Sequence, residues 1–161
     1  MNIYLLINQN KMELEKEIQQ TKFRSERHKA VLNILFTASW LQCQQQRLFK
    51  DYGLTPQQYN VLRILRGQKG TPISVNGILE RMLDRSSNAS RLIDKLKEKN
   101  LASRLECKND RRQMDILITP EGLDLLKKMD NEIDQTEQGF GALSESDAAT
   151  INRILDQMRD K

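Results

Sequence analysis

The sequence predicts a mainly α-helical chain with one small β-hairpin, and three observations carry that expectation. Apolar residues recur at helical spacing through most of the 161 residues. The period turns from helical to alternating only between Leu101 and Ile118. Helix starts are punctuated by Ser or Thr caps, twice in the form Thr-Pro, at Thr55-Pro56 and Thr119-Pro120.

In chain order, residues 1–22 form an N-terminal extension with a polar helical stretch over 12–20, and Met12 is an alternative start. Ser25 caps a helix over 25–50, along which Val31, Ile34, Leu35, Ala38, Leu41 and Leu48 form a stripe without Gly or Pro. Gly53 is available for the left-handed position after its end. A helix of this length is expected to need a partner for part of its apolar face. Thr55-Pro56 opens the next helix, with Tyr59, Leu62 and Leu65 or Arg66 on its buried edge and Val61 and Ile64 alongside. A turn over 67–72 leads to a short helix from Ser74 with Ile78, Leu79, Met82 and Leu83 on its apolar side. A further helix is predicted over 86–99, with Ala89, Leu92, Ile93 and Leu96 as its core seam. Strands follow at 101–106 and 113–118, joined by the basic tip Lys108-Asn109-Asp110-Arg111-Arg112. Thr119-Pro120 starts a helix carrying Leu123, Leu126, Met129 and Ile133, which Gly139-Phe140-Gly141 breaks. Ser144 and Asp147 cap a last helix with Ile151, Ile154, Leu155 and Met158.

A helix–turn–helix followed directly by a hairpin is the winged-helix arrangement. The expected organisation is an extension over 1–22, a long helical segment over 23–53, a winged helix-turn-helix over 54–118 and C-terminal helices over 119–161.

Composition narrows the function. The apolar share of 38% suffices for a core and the charged share of 30% suits a soluble surface. No apolar run approaches the roughly 18 residues of a membrane span. Cys43 and Cys107 form no CxxC or zinc pattern, so no metal or cofactor is expected and the cytoplasm is the default compartment. No nucleophile–base pair or Gly-rich phosphate loop supports catalysis. Charge is segregated: residues 54–118 hold 13 Lys/Arg against 7 Asp/Glu, whereas 119–161 hold 5 against 10. That asymmetry suits one module facing phosphates and another facing a protein partner.

Two clusters point to double-stranded DNA. The start of the helix over 86–99 presents Ser86, Ser87, Asn88, Ser90 and Arg91, with Lys95 further along. Short polar side chains let a helix sit deep in the major groove, where Arg takes a guanine edge in a fork. The hairpin tip gathers Lys108, Arg111 and Arg112, and an Arg on a thin protrusion suits a narrow minor groove. The alternative is a winged-helix protein-interaction module whose basic tip meets an acidic partner.

The run Leu54-Thr55-Pro56-Gln57-Gln58-Tyr59, with the segment Asp110-Arg111-Arg112 through Thr119-Pro120-Glu121-Gly122, resembles MarR-type regulators (multiple antibiotic resistance regulators) over about residues 26–158. Asp110, Arg112, Thr119 and Gly122 fall on the positions that characterise that family's wing. The resemblance implies a homodimer joined through its terminal helices, with the helix over 86–99 in a major groove and the wing in a neighbouring minor groove. It makes Arg112 the wing arginine and Asp110 its orienting acid; Arg111 is added from charge and position. It also implies a response to a small aromatic or phenolic effector or an oxidant. Two-fold symmetry of the dimer makes the expected operator an imperfect palindrome, and the expected action is repression by occupation of promoter DNA. Trp40 is a candidate effector-pocket residue between the dimer helices and the winged lobe, with plain packing as the alternative. Cys43 is a candidate redox thiol, with an inert thiol as the alternative. His28 reads as a surface residue.

Overall fold

The computed structural model describes residues 12–106, 114–138 and 143–160. Its elements run α1 (Leu14–Glu17), α2 (Glu26–Lys50), α3 (Pro56–Gly67), β1 (Ile73–Ser74), α4 (Val75–Arg81), α5 (Ala89–Glu98), β2 (Ala102–Glu106), β3 (Met114–Ile118), α6 (Pro120–Gln138) and α7 (Glu145–Arg159). This is a helical winged-helix chain with a small antiparallel sheet.

Local chemistry sets most boundaries. Ser25, Ser74 and Ser144 each accept a hydrogen bond from the third residue of the helix they cap. Thr55 and Gln58 form a reciprocal capping box at the start of α3, with Pro56 in the first turn. Gly53 closes α2 with φ of +65°, a left-handed backbone that glycine adopts without strain. The helix expected over 12–20 is confined to Leu14–Glu17.

The sheet has one strand more than the expected hairpin. Its order is β1-β3-β2, with Ile73 paired to Ile116 and Ala102 to Ile118. Two residues offer no periodicity to read, so β1 is created by its neighbour and not by its own sequence.

The core lies within the lobe formed by α3 to α5, the sheet and the first half of α6. Leu62, Ile78, Ile93, Leu96, Ile116, Leu126 and Met129 are fully buried there. The predicted seam of α5 is confirmed, with Ala89, Ile93 and Leu96 buried and Leu92 packed against them. Two placements differ from expectation. Helix α4 ends at Arg81 because Met82 turns to extended backbone (ψ 141°), so Leu83 leaves the apolar side and stands 91% exposed. Helix α5 begins at Ala89, not at residue 86.

The terminal helices contribute little to this core. Of the 25 residues of α2 only Phe49 is buried, stacked on Tyr59 with ring centroids 4.4 Å apart. Helix α7 has no buried residue. Val31, Ile34 and Leu35 on α2 and Ile151, Ile154 and Met158 on α7 are exposed. Helix α6 is tied to the lobe by a forked Arg66–Asp130 ion pair at 2.9–3.0 Å. The Tyr52 hydroxyl donates to Glu132, which with burial raises the tyrosine above its ordinary pKa.

Candidate nucleic-acid interface

The interface is built on α5. Its seam locks one side to the core, leaving Ser90, Arg91, Lys95 and Lys97 exposed on the other. A further clamp joins it to the sheet, where the Arg104 guanidinium lies 2.8 Å from the Asp94 carboxylate. The helix has no acid in its first turn, so the positive end of its dipole is uncompensated from within.

Asn88 is the N-cap, its Oδ1 accepting from the Arg91 amide at 3.0 Å. Ser86 and Ser87 lie in the turn before the helix. The Asp84 carboxylate accepts from the Ser86 amide at 2.9 Å, the Ser86 hydroxyl at 2.6 Å and the Ser87 hydroxyl at 2.9 Å. These bonds capture the polar groups that would otherwise have extended the helix backwards, an alternative that Asp and Ser regularly offer the backbone. The turn is closed again by the Ser87 amide on the Asp84 carbonyl at 3.3 Å. Asp84 followed by Ser at the second and third positions is a turn signal already present in the sequence.

The hydroxyl of Ser86 first, then that of Ser87 and the Ser86 amide, hold the Asp84 carboxyl below its ordinary range. A carboxyl depressed in the folded state keeps its bonds above the unfolded pKa and loses them as pH falls through the lowered folded value. Following the Ser86 amide shift against pH should therefore give a midpoint below that of an ordinary aspartate. A midpoint at or above the ordinary value would show that the turn does not hold these bonds in solution.

Among the described residues, Arg85 and Arg91 are exposed cations with no ion pair, whereas Lys95 is paired with Glu98 at 2.7 Å. Arg85 was not anticipated from the sequence; charge alone does not tell a paired arginine from an unpaired one. A cleft of about 350 Å³ separates the first turn of α3 from α5, lined by Gln57, Asn88, Arg91 and Lys95 among others. The turn before α5 and the exposed side of α5 both border this cleft, through Ser87 and through Asn88, Arg91 and Lys95. Lys108, Asp110, Arg111 and Arg112 lie outside the described residues, as does Cys107; β2 and β3 on either side pair as far as Glu106 with Met114.

The other candidates lie elsewhere. Trp40 lines a cavity of about 210 Å³ with Met12, Leu14, Asn33, Phe36 and Thr37, between the N-terminal segment and α2, not beside the winged lobe. That segment is held to α2 by a Lys29–Glu15 ion pair and by the Lys29 ammonium 5.6 Å from the Phe23 ring centroid. Cys43 is an exposed free thiol on α2. His28 is half-buried beside Phe23, ring centroids 6.2 Å apart. Among the described residues no group of acids, His and Cys could hold a metal ion.

Known proteins share this architecture. BpsR of Bordetella bronchiseptica, whose DNA binding is regulated by 6-hydroxynicotinic acid, is 27% identical, with a TM-score of 0.67 over 81% of this chain and 99% of that one. The S. aureus MepR–DNA complex shares the fold at 19% identity, with a TM-score of 0.69 over 80% of this chain and 92% of that one. The transcriptional repressor MdtR of Bacillus subtilis is 39% identical over 70 residues, 44% of either chain. Matches to curated relatives span 44% to 67% of the relatives' own lengths. The stretch that matches the MarR family, residues 52–113, begins just after α2, spans α3 to β2 and stops just before β3. It holds the surface just described; over that stretch the chain matches the MarR family, and its fold is that of MarR-type winged-helix proteins.

Proposed function

We propose that the protein is a sequence-specific DNA-binding transcriptional regulator that acts as a homodimer on a palindromic operator. The observation that carries this reading is the exposed polar and basic side of α5, with Arg91 free of ion pairs, backed on the opposite side by the buried Ala89, Ile93 and Leu96. Arg91, Ser90, Asn88 and Lys95 face the major groove, Ser86 and Ser87 shape the approach, and Lys108, Arg111 and Arg112, with Asp110 orienting, serve as the minor-groove wing. Residues 54–118 form the DNA-binding domain, and 23–53 and 119–161 the dimerisation segments. The uncovered apolar stripes on α2 and α7 support dimerisation, since exposed apolar patches mark association surfaces. Two-fold symmetry then demands a pseudo-palindromic site with half-sites about one turn, roughly 34 Å, apart. Repression follows from occupation of promoter DNA, and an aromatic effector, or oxidation of Cys43, would act by changing the separation of the two α5 helices. Among the described residues no helix is long and apolar enough to cross a membrane, in keeping with a cytoplasmic regulator.

The test is fluorescence anisotropy of the full chain on duplexes selected from a random pool, at two salt concentrations. Specific binding should weaken steeply with salt, because each neutralised phosphate contributes a slope of about −0.9 in log–log form. Arg91→Ala should cost about 1–3 kcal/mol on the selected duplex and relax the preference at one base pair per half-site. Binding that ignores sequence and salt would favour the protein-interaction module instead.

A further inference from the structure

Leu83 is the most exposed large apolar side chain in the described structure, at 91%. Single exposed leucines are ordinary on protein surfaces, but this one is held out by its surroundings. Met82, immediately before it, is buried at 4%, and the Leu83 amide donates to Asn60 Oδ1 on α3 at 3.0 Å. Asp84, immediately after it, is bonded to both Ser86 and Ser87. The backbone is thus pinned on both sides of an aliphatic side chain that has no core to enter.

Its position says what it meets. The exposed apolar residues of α2 and α7 recur at helical spacing along two helices, whereas Leu83 lies in the loop that leads into α5. In the chain it is followed by Asp84 and by the exposed, unpaired Arg85, a few residues before the first turn of α5. One exposed leucine is far too small for a protein–protein interface, which takes about 800 Å² from each partner. It matches in size the one apolar group that DNA presents in its major groove, the C5-methyl of thymine.

We propose that Leu83 is a specificity-determining residue that packs on a thymine methyl at the edge of the α5 footprint, once in each half-site. This inference rests on the DNA-binding reading and adds a base preference to it. Removing one buried methyl from a contact of this kind weakens binding about fourfold, and about fifteenfold when both half-sites lose it.

The experiment uses the full chain and a selected duplex in which each thymine is replaced in turn by uracil, which lacks only the C5-methyl. Wild type should lose about fourfold at one thymine per half-site, while Leu83→Ala binds the thymine and uracil duplexes equally and retains the wild-type melting temperature. An equal thymine–uracil ratio in wild type and Leu83→Ala overturns the proposal, whether the variant binds less tightly overall, as through a sugar contact, or unchanged, as for a protein-facing leucine. Wild type that selects no sequence from the pool overturns the DNA-binding reading itself, and this inference with it. The two failures are therefore distinguishable.

Discussion

Replacing Gly122 with alanine is expected to destabilise the fold by about 3 kcal/mol, the upper part of the usual range for an overpacked site. Gly122 lies in the first turn of α6, where an added Cβ would land against the Leu101 carbonyl oxygen and 2.8 Å from Ile118 Cγ1. A carbonyl cannot rotate aside as a side-chain tip can. Leu101 is moreover fixed by two backbone bonds, its carbonyl accepting from the Thr119 amide at 3.2 Å and its amide donating to the Leu96 carbonyl at 2.9 Å. The Thr119 hydroxyl bonds the Asn100 carbonyl at 2.6 Å and accepts from the Gly122 amide at 3.1 Å. Helix α6 would have to tilt away from the end of α5, disturbing both bonds. Thermal unfolding reads the result: at roughly 2–4 °C per kcal/mol for a chain of this size, the midpoint should fall by roughly 6–12 °C. A midpoint within about 2 °C of wild type would mean that α6 lifts away without cost, and that this approach is not tight in solution. The same geometry explains why the Thr119-Pro120-Glu121-Gly122 run requires glycine at its fourth place.

The second large effect is expected at Ile93. Its side chain is completely buried in the seam that fastens α5 to the lobe, between Ala89 and Leu96. Truncation to alanine removes three carbons and leaves a cavity that the rigid surroundings only partly fill, at a cost of about 2–5 kcal/mol. Ile93→Val should cost only about 0.5–1.5 kcal/mol. Chemical denaturation of the three proteins checks the ordering, and an exposed change on the same helix, Lys97→Ala, should stay within about 0.5 kcal/mol of wild type. Because α5 carries the proposed DNA surface, Ile93→Ala should also weaken DNA binding in folded protein, by loosening the helix and not by removing a contact. If Ile93→Ala and Lys97→Ala proved equally mild, the packing described for α5 would be wrong.

Much of the architecture was legible because the signals are local. The cap at Thr55, its box with Gln58, the left-handed Gly53 and the Ser144 cap are each decided within a few residues. The seam Ala89, Ile93 and Leu96 follows from helical periodicity alone. The candidate interface was legible in composition but not in detail. A list of Ser86, Ser87, Asn88 and Arg91 does not show that two hydroxyls already donate to Asp84, that the amide serves as the cap, or that Arg91 is free of ion pairs while Lys95 is not. Leu83 was read as part of an apolar helix side because the spacing fits. Only the extended backbone at Met82 turns it outward.

By itself the sequence determined where helices begin, which of their sides are apolar, and that a helix–turn–helix precedes a basic-tipped hairpin. Those properties depend on residues within a turn or two of one another, where capping, propensity and periodicity act. Tertiary structure alone decided that Ile73 joins the sheet opposite Ile116, that Arg66 finds Asp130 across 64 residues, and that α6 passes so close to Leu101 that residue 122 has no room for a Cβ. It also decided which apolar stripes the lobe absorbs and which, on α2 and α7, it leaves uncovered. Such outcomes turn on the distance between segments remote in the chain, and local propensity carries no information about that distance.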